Sequence, residues 1–336
     1  ERMSDKLLSI VVPTYNIAQY IDKCIESFKQ VDKKYYSTFE VIVVNDGSTD
    51  NSLQIVERLI ADTQLDIRVI TKTNGGHGST INVGINEATG KFFKVIDGDD
   101  WIDVSNFEIF IKKLEKADVD LVITDYTEQH IYNQTEKKIT FSDELEINKV
   151  YSGLPSKRIP MHAVTFKTEL LKENKISISE NTFYVDMEYT LLPLQYVGNF
   201  IYFDLDIYQY FLGRPDQSMN LNVMRAKSEH HLRVTKKILD YYNMIRFNNA
   251  LEPVVNEGVT YLINKQCQLF IMNDSVENIY ELFKYGHNCN YKWKFDVTKK
   301  TVSLIYINFK LNNIFDFIVT PLINRQQKEW SERNEY

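Results

Sequence analysis

The sequence predicts an α/β fold with a mostly parallel sheet, followed by a C-terminal helical extension. Two observations support this class. Short apolar, β-prone runs alternate with amphipathic helical patterns up to residue 103, and helical patterns replace strand patterns beyond about residue 220. Strands that alternate with helices at this spacing form parallel sheets with right-handed crossovers. The loops that follow the strands should therefore open at one edge of the sheet.

Four strands are predicted in this first part, and each has its own end signal. Pro13 stops the first, and a polar turn with helix-capping residues follows the second. A glycine-rich turn follows the third, and Gly90 closes the helix after it. The four apolar runs are 8–12, 39–44, 67–70 and 92–96.

Three carboxylates, Asp97, Asp99 and Asp100, cluster where the fourth run ends. Open α/β sheets bind ligands beyond the carboxyl ends of their strands. Like charges this close repel unless a cation or a large pKa shift relieves them, and oxygen ligands suit hard divalent cations. The cluster therefore predicts a Mg²⁺ or Mn²⁺ site.

Five loop motifs occur in a fixed order along the chain. They are Pro13-Thr14-Tyr15-Asn16, Asn45-Asp46-Gly47-Ser48-Thr49-Asp50, Asn74-Gly75-Gly76, Asn82 with Gly84 and Ala88-Thr89-Gly90, and Asp97-Gly98-Asp99-Asp100. In order and spacing they resemble the nucleotide-sugar domain of family 2 glycosyltransferases, which are inverting enzymes of bacteria and other organisms with the Rossmann-like GT-A fold. The resemblance is dense over the first third of the chain and thinner to about residue 218.

The resemblance implies a domain plan and a nucleotide site. The GT-A domain would cover 1–218, with a nucleotide-sugar half at 1–103 and an acceptor half at 104–218, and a helical region would follow at 219–336. Pro13, Thr14 and Tyr15 would line the nucleobase pocket, with the Tyr15 ring packed on the base. Asp46 would accept a hydrogen bond from uracil, as a charge-assisted contact.

The resemblance also implies roles for the acid cluster. Asp97 and Asp99 form the Asp-x-Asp pair, and Asp99 is the preferred metal ligand. Asp97 or Asp100 would reach the ribose, a water molecule or the sugar. The family commonly places an arginine where this chain has Ile81, so contacts to diphosphate or sugar must come from elsewhere. Lys72, His77 and Arg214 are the candidates for them.

The general base is predicted at Asp186. Family members commonly show Glu-Asp here, and this chain has Val185 in place of the glutamate. Inversion needs one carboxylate to take the acceptor proton while the metal stabilises the leaving diphosphate from the opposite face. Such a base contributes about 10²–10⁴-fold to the rate. Glu188 is the alternative, because residues two apart on a helix point to different faces and only one can look into the site.

Composition narrows the class of protein. A net charge of -7 and a pI near 5.5 argue against non-specific nucleic-acid binding. Three scattered cysteines favour neither a disulfide framework nor a zinc site and point to a reducing cytosol. The sequence shows neither a signal peptide nor an apolar run of about 20 residues, the length that spans a bilayer. Residue 1 is Glu, which suggests a module or a processed piece of a longer protein.

Acceptor selectivity is expected in the loops between the acid cluster and the base. The polar stretch 126–150 is predicted as a hairpin or mobile loop, and 153–162 as a turn before an edge strand. The segment 208–218 resembles the closing loop of the family, in which Arg214 would clamp phosphate oxygens in a bidentate manner.

The C-terminal region is predicted as helices at 223–245, 251–272, 276–283 and 302–323, dense in tyrosine and phenylalanine. Three interpretations stay open for this apolar surface: packing against the catalytic domain, a homo-oligomer interface, and a peripheral membrane contact. The stretch 303–323 is the expected contact surface, and its polar interruptions favour lying on a surface over crossing a membrane.

These observations predict a metal-dependent, inverting hexosyltransferase that uses a UDP-sugar. UDP-glucose and UDP-galactose rank first, and the acceptor would be a glycan on lipid or protein, in surface polysaccharide or adhesin glycoprotein synthesis. The expected location is cytoplasmic, at the inner face of the membrane. A P-loop or dinucleotide enzyme is disfavoured because Pro13 begins a loop without a glycine-rich phosphate motif. A nucleotidyltransferase is disfavoured because residues 13–20 hold no Lys or Arg. A non-catalytic nucleotide-sugar-binding or scaffold member is the alternative, which Val185 and Ile81 favour.

Overall fold

A ten-stranded mixed sheet organises the first of two compact units in the computed structural model. The structure describes residues 6–293 and 300–332. The first unit extends to Pro155 and resumes over Ile159–Gly213, and the second takes Ser156–Arg158 and the chain from Arg214 onward. The division lies shortly before the predicted boundary at residue 218, and the functional halves of the first unit stay a prediction.

The strands of the first unit follow the order β3-β2-β1-β4-β9-β6-β10-β5, with β7 paired to β6 and β8 to β10. Pairs among β1 to β4 are parallel, as is β6 with β10, while β9, β5, β7 and β8 pair antiparallel. The mostly parallel amino-terminal sheet is thus confirmed. The strands are β1 (Leu8–Thr14), β2 (Phe39–Asn45), β3 (Ile67–Thr71), β4 (Phe92–Val95), β5 (Trp101–Ile102), β6 (Leu121–His130), β7 (Thr135–Ile139), β8 (Val150–Ser152), β9 (Val164–Lys167) and β10 (Asn199–Leu212).

Helices follow the parallel strands, as their sequence signals predict. Asp50 accepts a hydrogen bond from the Ser52 N–H at 2.9 Å at the start of α2, and Asp103 accepts from Asn106 N–H at 2.8 Å at the start of α4. Strands β1, β2 and β4 are buried along their whole length, which suits their continuous apolar runs. The helices of this unit are α1 (Ile21–Lys29), α2 (Ser52–Ile60), α3 (His77–Glu87), α4 (Val104–Leu114), α5 (Thr168–Glu173) and α6 (Asp186–Leu191).

The acceptor half departs from one expectation. The hairpin predicted within 126–150 is present, because β6 and β7 pair antiparallel. The strand predicted at the sheet edge after residue 162 is β9, which lies inside the sheet between β4 and β6. That prediction was wrong because local sequence does not reveal pairing partners, and the burial of Val164 and Phe166 agrees with an internal strand.

The second unit is helical, and its helices are α7 (Leu221–Ala226), α8 (Ser228–Ile245), α9 (Glu252–Met272), α10 (Glu277–Asn288), α11 (Lys300–Lys310) and α12 (Asp316–Glu332). The predicted helix 302–323 is two helices, because Asn312 and Asn313 adopt φ of 53° and 61° and end α11. The predicted helix 223–245 is likewise divided, at Lys227. Among the described residues, no helix is both long and apolar enough to cross a bilayer.

The aromatic residues of the second unit divide into packed and exposed sets. The Phe283 ring packs against Trp293, Tyr306 and Phe309, with ring centroids 5.0 to 5.6 Å apart. Phe317, in contrast, is 73% exposed. Core packing therefore accounts for part of this aromatic content, and oligomer or membrane contact through the rest stays a prediction.

Candidate active site

The loops after β1 and β2 are joined by the Asn16 side chain. Its Oδ1 accepts hydrogen bonds from the backbone N–H of Thr49 at 2.8 Å and of Asp50 at 3.3 Å. Asp50 in turn accepts from the Ala18 N–H at 3.0 Å. Asn16 has φ of 50°, a conformation that asparagine adopts more readily than most residues. The two loops thus form one surface, and Tyr15 on it is 48% exposed.

The predicted nucleobase residues differ in how they meet this surface. Pro13 and Thr14 close β1 and are buried, and the Thr14 carbonyl accepts the Asp46 N–H at 2.9 Å. The Thr14 hydroxyl donates to the Val12 carbonyl at 3.2 Å. Tyr15 is therefore the member of the trio whose side chain is offered to a ligand, while Pro13 and Thr14 shape the floor.

Asp46 holds the glycine-rich turn after β3. Its Oδ1 accepts from Lys72 Nζ at 2.8 Å and from the Gly75 N–H at 2.9 Å, and its Oδ2 accepts from the Gly76 N–H at 2.7 Å. Lys72 Nζ also donates to Ser79 Oγ at 2.8 Å. Asp46 is 2% exposed. Its carboxylate therefore has a structural role beside any contact with a base.

Within the acid cluster, Asp97 is paired with His77 at the first residue of α3. His77 Nε2 lies 2.7 Å from Asp97 Oδ1. Burial lowers the pKa of His77, but the charges of Asp97, Asp186 and Asp99 and the hydrogen bond to Asp97 outweigh it, so the pKa is raised overall. The neighbouring carboxylates therefore stabilise the charged form of His77, which lies within electrostatic reach of the cluster and of Asp186.

Asp100 is the buried member of the acid cluster and is hydrogen-bonded to β10. It is 1% exposed, and its two oxygens accept from the Tyr208 hydroxyl at 2.5 Å and from the Phe211 N–H at 2.7 Å. Burial, followed by the charges of Asp99 and Asp97, raises its pKa well above the usual range. Both oxygens face β10, and contact of Asp100 with ribose, water or sugar stays a prediction.

Asp97 and Asp99 are both partly exposed, in contrast to Asp100. No group of three or more His, Cys, Asp or Glu side chains in the described ranges is arranged to hold a metal ion alone. The carboxylate pair of Asp97 and Asp99 suits Mg²⁺, a cation that is commonly bound by one or two carboxylates together with substrate phosphates. Asp99 and Asp97 are the residues suited to share a cation with a diphosphate.

The two base candidates lie in different surroundings. Asp186 opens α6 and is partly exposed. Glu188 is 0% exposed, and its Oε2 accepts from the Ser179 N–H at 2.8 Å. Because a general base must reach the acceptor hydroxyl, this burial disfavours Glu188. The assignment of the base to Asp186 itself stays a prediction.

The segment before α6 lies directly on the glycine-rich turn and on α3. The Asn181 N–H donates to the Gly75 carbonyl at 2.5 Å, and the Asn82 amide pairs with both backbone groups of Ile178 at 2.8 and 2.9 Å. A Cβ on Gly78 would collide with the Ser179 carbonyl. These contacts explain how Asp186, distant in sequence, comes near His77.

Sequence reasoning missed the aromatic group beside the acids. His162 is stacked on Tyr210 with ring centroids 4.0 Å apart and also contacts Tyr208 and Tyr126. Burial, together with the charges of the acid cluster and of Asp186, raises the pKa of Tyr210. The available signal was the alternation along β10, since Tyr208 and Tyr210 occupy one face of a strand leading to the site.

Lys72 and Arg214, the cationic candidates for contacts with a diphosphate or sugar, have other partners in the structure. Lys72 uses its ammonium on Asp46, Ser79 and the Thr73 carbonyl. Arg214 begins the second unit, where its Nε is 3.6 Å from Asp216 Oδ1. Contacts of Lys72 and Arg214 with a diphosphate or sugar stay predictions.

Comparison with known proteins identifies the class. Residues 9–168 match the family model described as Glycosyl transferase family 2. This match covers the four parallel strands, the acid cluster and β9. The chain therefore carries a family 2 glycosyltransferase domain with the GT-A fold, as its loop motifs predict.

Relatives from bacteria align beyond that domain. "Uncharacterized glycosyltransferase EpsJ" of Bacillus subtilis is 26% identical over 80% of this chain and 78% of its own length. The "Teichoic acid poly(glycerol phosphate) polymerase" of Staphylococcus epidermidis is 25% identical over 98% of this chain. The chain spans only 44% of the length of that polymerase.

Solved structures share the fold. The S. aureus TarS fragment 1-349, crystallised with UDP-GlcNAc, has a TM-score of 0.53 and 20% identity, covering 87% of this chain and 94% of the fragment. At this identity the likeness speaks for the fold alone.

Proposed function

We propose that this chain transfers a hexose unit from a UDP-sugar to a hydroxyl of a glycan acceptor, with inversion and with a divalent cation. One observation carries the proposal: Asp97, Asp99 and Asp186 lie around His77, which is hydrogen-bonded to Asp97 and within electrostatic reach of Asp99 and Asp186. Inverting transfer needs these two elements, a metal-binding carboxylate pair and a separate basic carboxylate. The fold supports the proposal because the glycosyltransferase family holds nucleotide sugars at the carboxyl ends of the parallel strands.

The nucleotide would lie on the surface formed by the loops after β1 and β2. The Tyr15 ring would pack on the base, above the floor made by Pro13 and Thr14. A carboxylate oxygen has two lone pairs, so Asp46 Oδ2 can accept a uracil N–H in addition to the Gly76 N–H. On this proposal Asp46 links base recognition to the glycine-rich turn.

When bound, a divalent cation at Asp99 and Asp97 would neutralise the diphosphate that leaves in the reaction. His77 would keep Asp97 in one orientation through its hydrogen bond. Lys72 fixes the turn that carries His77 by bridging Asp46 and Ser79. These residues hold the donor still, which lowers the barrier without chemical participation.

Asp186 would accept the proton of the attacking acceptor hydroxyl as the new bond forms. The contacts of Asn181 with Gly75 and of Ile178 with Asn82 set its distance from the donor side of the site. Attack from the side of Asp186, opposite to the leaving diphosphate, would invert the anomeric centre.

The sugar and acceptor are the finer parts of the proposal. UDP-glucose and UDP-galactose rank first from the sequence, and the TarS fragment bound to UDP-GlcNAc adds N-acetylglucosamine to the donors to be tested. The teichoic acid polymerase among the relatives supports a role in the synthesis of a cell-surface polymer, on lipid or protein. We also propose a cytoplasmic location at the inner face of the membrane, with the exposed apolar residues of α11 and α12 forming a membrane or homo-oligomer contact.

UDP release from a panel of UDP-sugars tests the reaction, with Mn²⁺ or with EDTA and with or without glycan acceptors. We expect turnover of one donor that requires the cation and is lost in Asp99→Ala and Asp186→Asn. The anomeric configuration of the product, read by NMR, tests inversion. Retention of configuration, or full turnover in EDTA, would contradict the proposal.

A non-catalytic nucleotide-sugar-binding member is the alternative function. It is favoured by Val185 and Ile81, which occupy positions where the family commonly has charged residues and which are 1% and 0% exposed. UDP binding that depends on Asp99, without turnover of any donor in the presence of the acceptor panel, would favour it.

A further inference from the structure

A cleft next to the proposed cation site shares Asp99 with that site but none of the residues assigned to the nucleobase or to the base. Three aromatic side chains, Tyr20, Trp101 and Phe211, form its walls, and Asp99 contributes at one end. The Tyr20 and Phe211 ring centroids are 5.3 Å apart, and those of Trp101 and Phe211 are 6.2 Å apart. The predicted nucleobase residues, Asp97 and Asp186 do not line it.

The polar residues of the cleft come from α1 and the turn before it. They are Gln19, Asp22, Lys23 and Glu26. The Lys23 ammonium lies 3.0 Å from the centroid of the Trp101 ring, and Glu26 Oε1 accepts from Lys29 at 2.7 Å. Amide and carboxylate groups around aromatic rings match the hydroxyls and the apolar C–H faces of a sugar.

The cleft walls are fixed by the same residue that shapes the acid cluster. Asp100 accepts the Phe211 N–H, and Trp101 pairs with Gln209 in the short antiparallel ladder of β5 and β10. A ligand in this cleft would therefore meet a preformed wall next to the metal-binding carboxylate. Since the base does not line the cleft, the sugar held there would not be the one that reacts.

We propose that this cleft is a subsite for a neutral sugar unit of the acceptor glycan, remote from the reacting hydroxyl. The proposal rests on the transferase function proposed above. Neutrality follows from charge: apart from Asp99, which would hold the cation, the lining carries Asp22, Glu26 and Lys23, and Lys29 pairs with Glu26, so these groups have no net charge. A polyanionic chain such as a glycerol phosphate polymer would find no excess of cations there.

The sugar would replace the Lys23 ammonium on the face of Trp101. Lys23→Ala should therefore tighten binding of a neutral saccharide by about threefold, the size of an exposed cation–π contact. Glu26→Gln keeps the shape and one hydrogen-bonding oxygen, and should weaken binding by less than Glu26→Ala, which we expect to cost about fivefold for a lost hydrogen bond.

The test is an NMR titration of protein labelled with ¹⁵N at tryptophan. The probes are neutral tetrasaccharides of glucose, xylose and N-acetylglucosamine and an anionic hyaluronan tetrasaccharide, each added with UDP and diamagnetic Mg²⁺ present, because paramagnetic Mn²⁺ next to Trp101 would broaden its signal. Trp101→Phe assigns the Trp101 indole signal, and Trp293 of the second unit is the internal control. We expect at least one neutral probe to shift the Trp101 signal and leave Trp293 unchanged.

The outcomes separate this subsite from the proposed function. Absence of a Trp101 shift with every neutral probe, or a larger shift with the anionic probe, would overturn the subsite even when UDP binds with Mg²⁺. Absence of UDP binding would instead contradict the donor assignment. A Trp101 shift by a neutral probe with a tightened Lys23→Ala response would support the subsite in either case.

Discussion

The two halves of the first unit hold their functional residues in different ways. In the nucleotide-sugar half, short loops are fixed by neighbouring side chains and backbone groups, as Asn16 and Asp46 show. Residues of the acceptor half are held by contacts that reach back to the nucleotide-sugar half, such as Tyr208 with Asp100 and Ile178 with Asn82. The first arrangement leaves a motif in the sequence, and the second leaves almost none. Substitutions in each half should therefore fail in different ways.

The largest effect is expected for the base in the acceptor half. Asp186→Asn should lower kcat by about 10²–10⁴-fold, because the acceptor hydroxyl loses its proton acceptor. The affinity for UDP with Mn²⁺, measured by calorimetry, should stay close to that of wild type.

Glu188→Gln is the matched control, since the same helix carries a buried carboxylate bonded to Ser179. Glu188→Gln should lower the melting temperature and change kcat much less than Asp186→Asn does. If Glu188→Gln abolished turnover in a folded protein while Asp186→Asn did not, the two roles would be exchanged.

Next in size is the Asp46 contact in the nucleotide-sugar half. Asp46→Ala should lower the free energy of unfolding by about 3 kcal/mol, because it leaves Lys72 and two backbone N–H groups without their acceptor. Urea unfolding measures the change. Lys72→Met should cost less, since both glycine N–H groups keep their acceptor. An equal or larger loss in Lys72→Met would contradict the central place of Asp46.

Gly78→Ala tests how the two halves meet. A Cβ there would collide with the Ser179 carbonyl and displace the segment that leads to Asp186. We expect kcat to fall by about tenfold or more, because small misplacements of catalytic groups are costly. Gly153→Ala is the control for a glycine with open space. Its φ of 91° should add a modest loss of stability, with kcat unchanged. Unchanged kcat in a folded Gly78→Ala protein would show that the segment adapts.

The smallest effect, measured as the change in unfolding free energy per pH unit, concerns Lys94, a fully buried lysine in β4. Its ammonium donates to the His162 and Val164 carbonyls at 2.8 and 3.3 Å, and burial lowers its pKa to about 7. An unfolded lysine titrates near about 10.4, so between these values the unfolded state binds more protons and stability should rise with pH. The rise should be about 1.4 kcal/mol per pH unit at most.

Lys94→Met removes this titration, so its unfolding free energy should show a flatter dependence on pH above 7 than that of wild type. Urea unfolding at several pH values measures both slopes. Equal slopes would mean that Lys94 keeps its charge in the folded protein.

Much of the nucleotide-sugar half could be predicted from the sequence. Its strands carry continuous apolar runs and end at polar loops, and both signals act within a few residues. The acid cluster could be recognised because three carboxylates follow a buried strand, where like charges repel unless a cation or a pKa shift relieves them. The burial of Asp100 could not be predicted, because it depends on Tyr208 and Phe211, far along the chain.

The acceptor half was predicted less well for the same physical reason. The internal position of β9 depends on its partners β4 and β6, and the His162–Tyr210 stack joins a short helical turn to a distant strand. The sequence carries two opposing signals at the break between α11 and α12. Asn312 and Asn313 tolerate positive φ, which favours a break, but the amphipathic helical pattern continues across them.

The buried contacts of Asp100 have a consequence for how tightly a donor can bind. Because Asp100 anchors the acid turn to β10 through Tyr208 and Phe211, that turn holds its shape before any ligand arrives. A preorganised turn loses little conformational entropy on binding, so more of the interaction energy appears as affinity. Tyr208→Phe should accordingly raise the entropic cost of UDP binding in calorimetry, while the same carboxylates remain available to the cation.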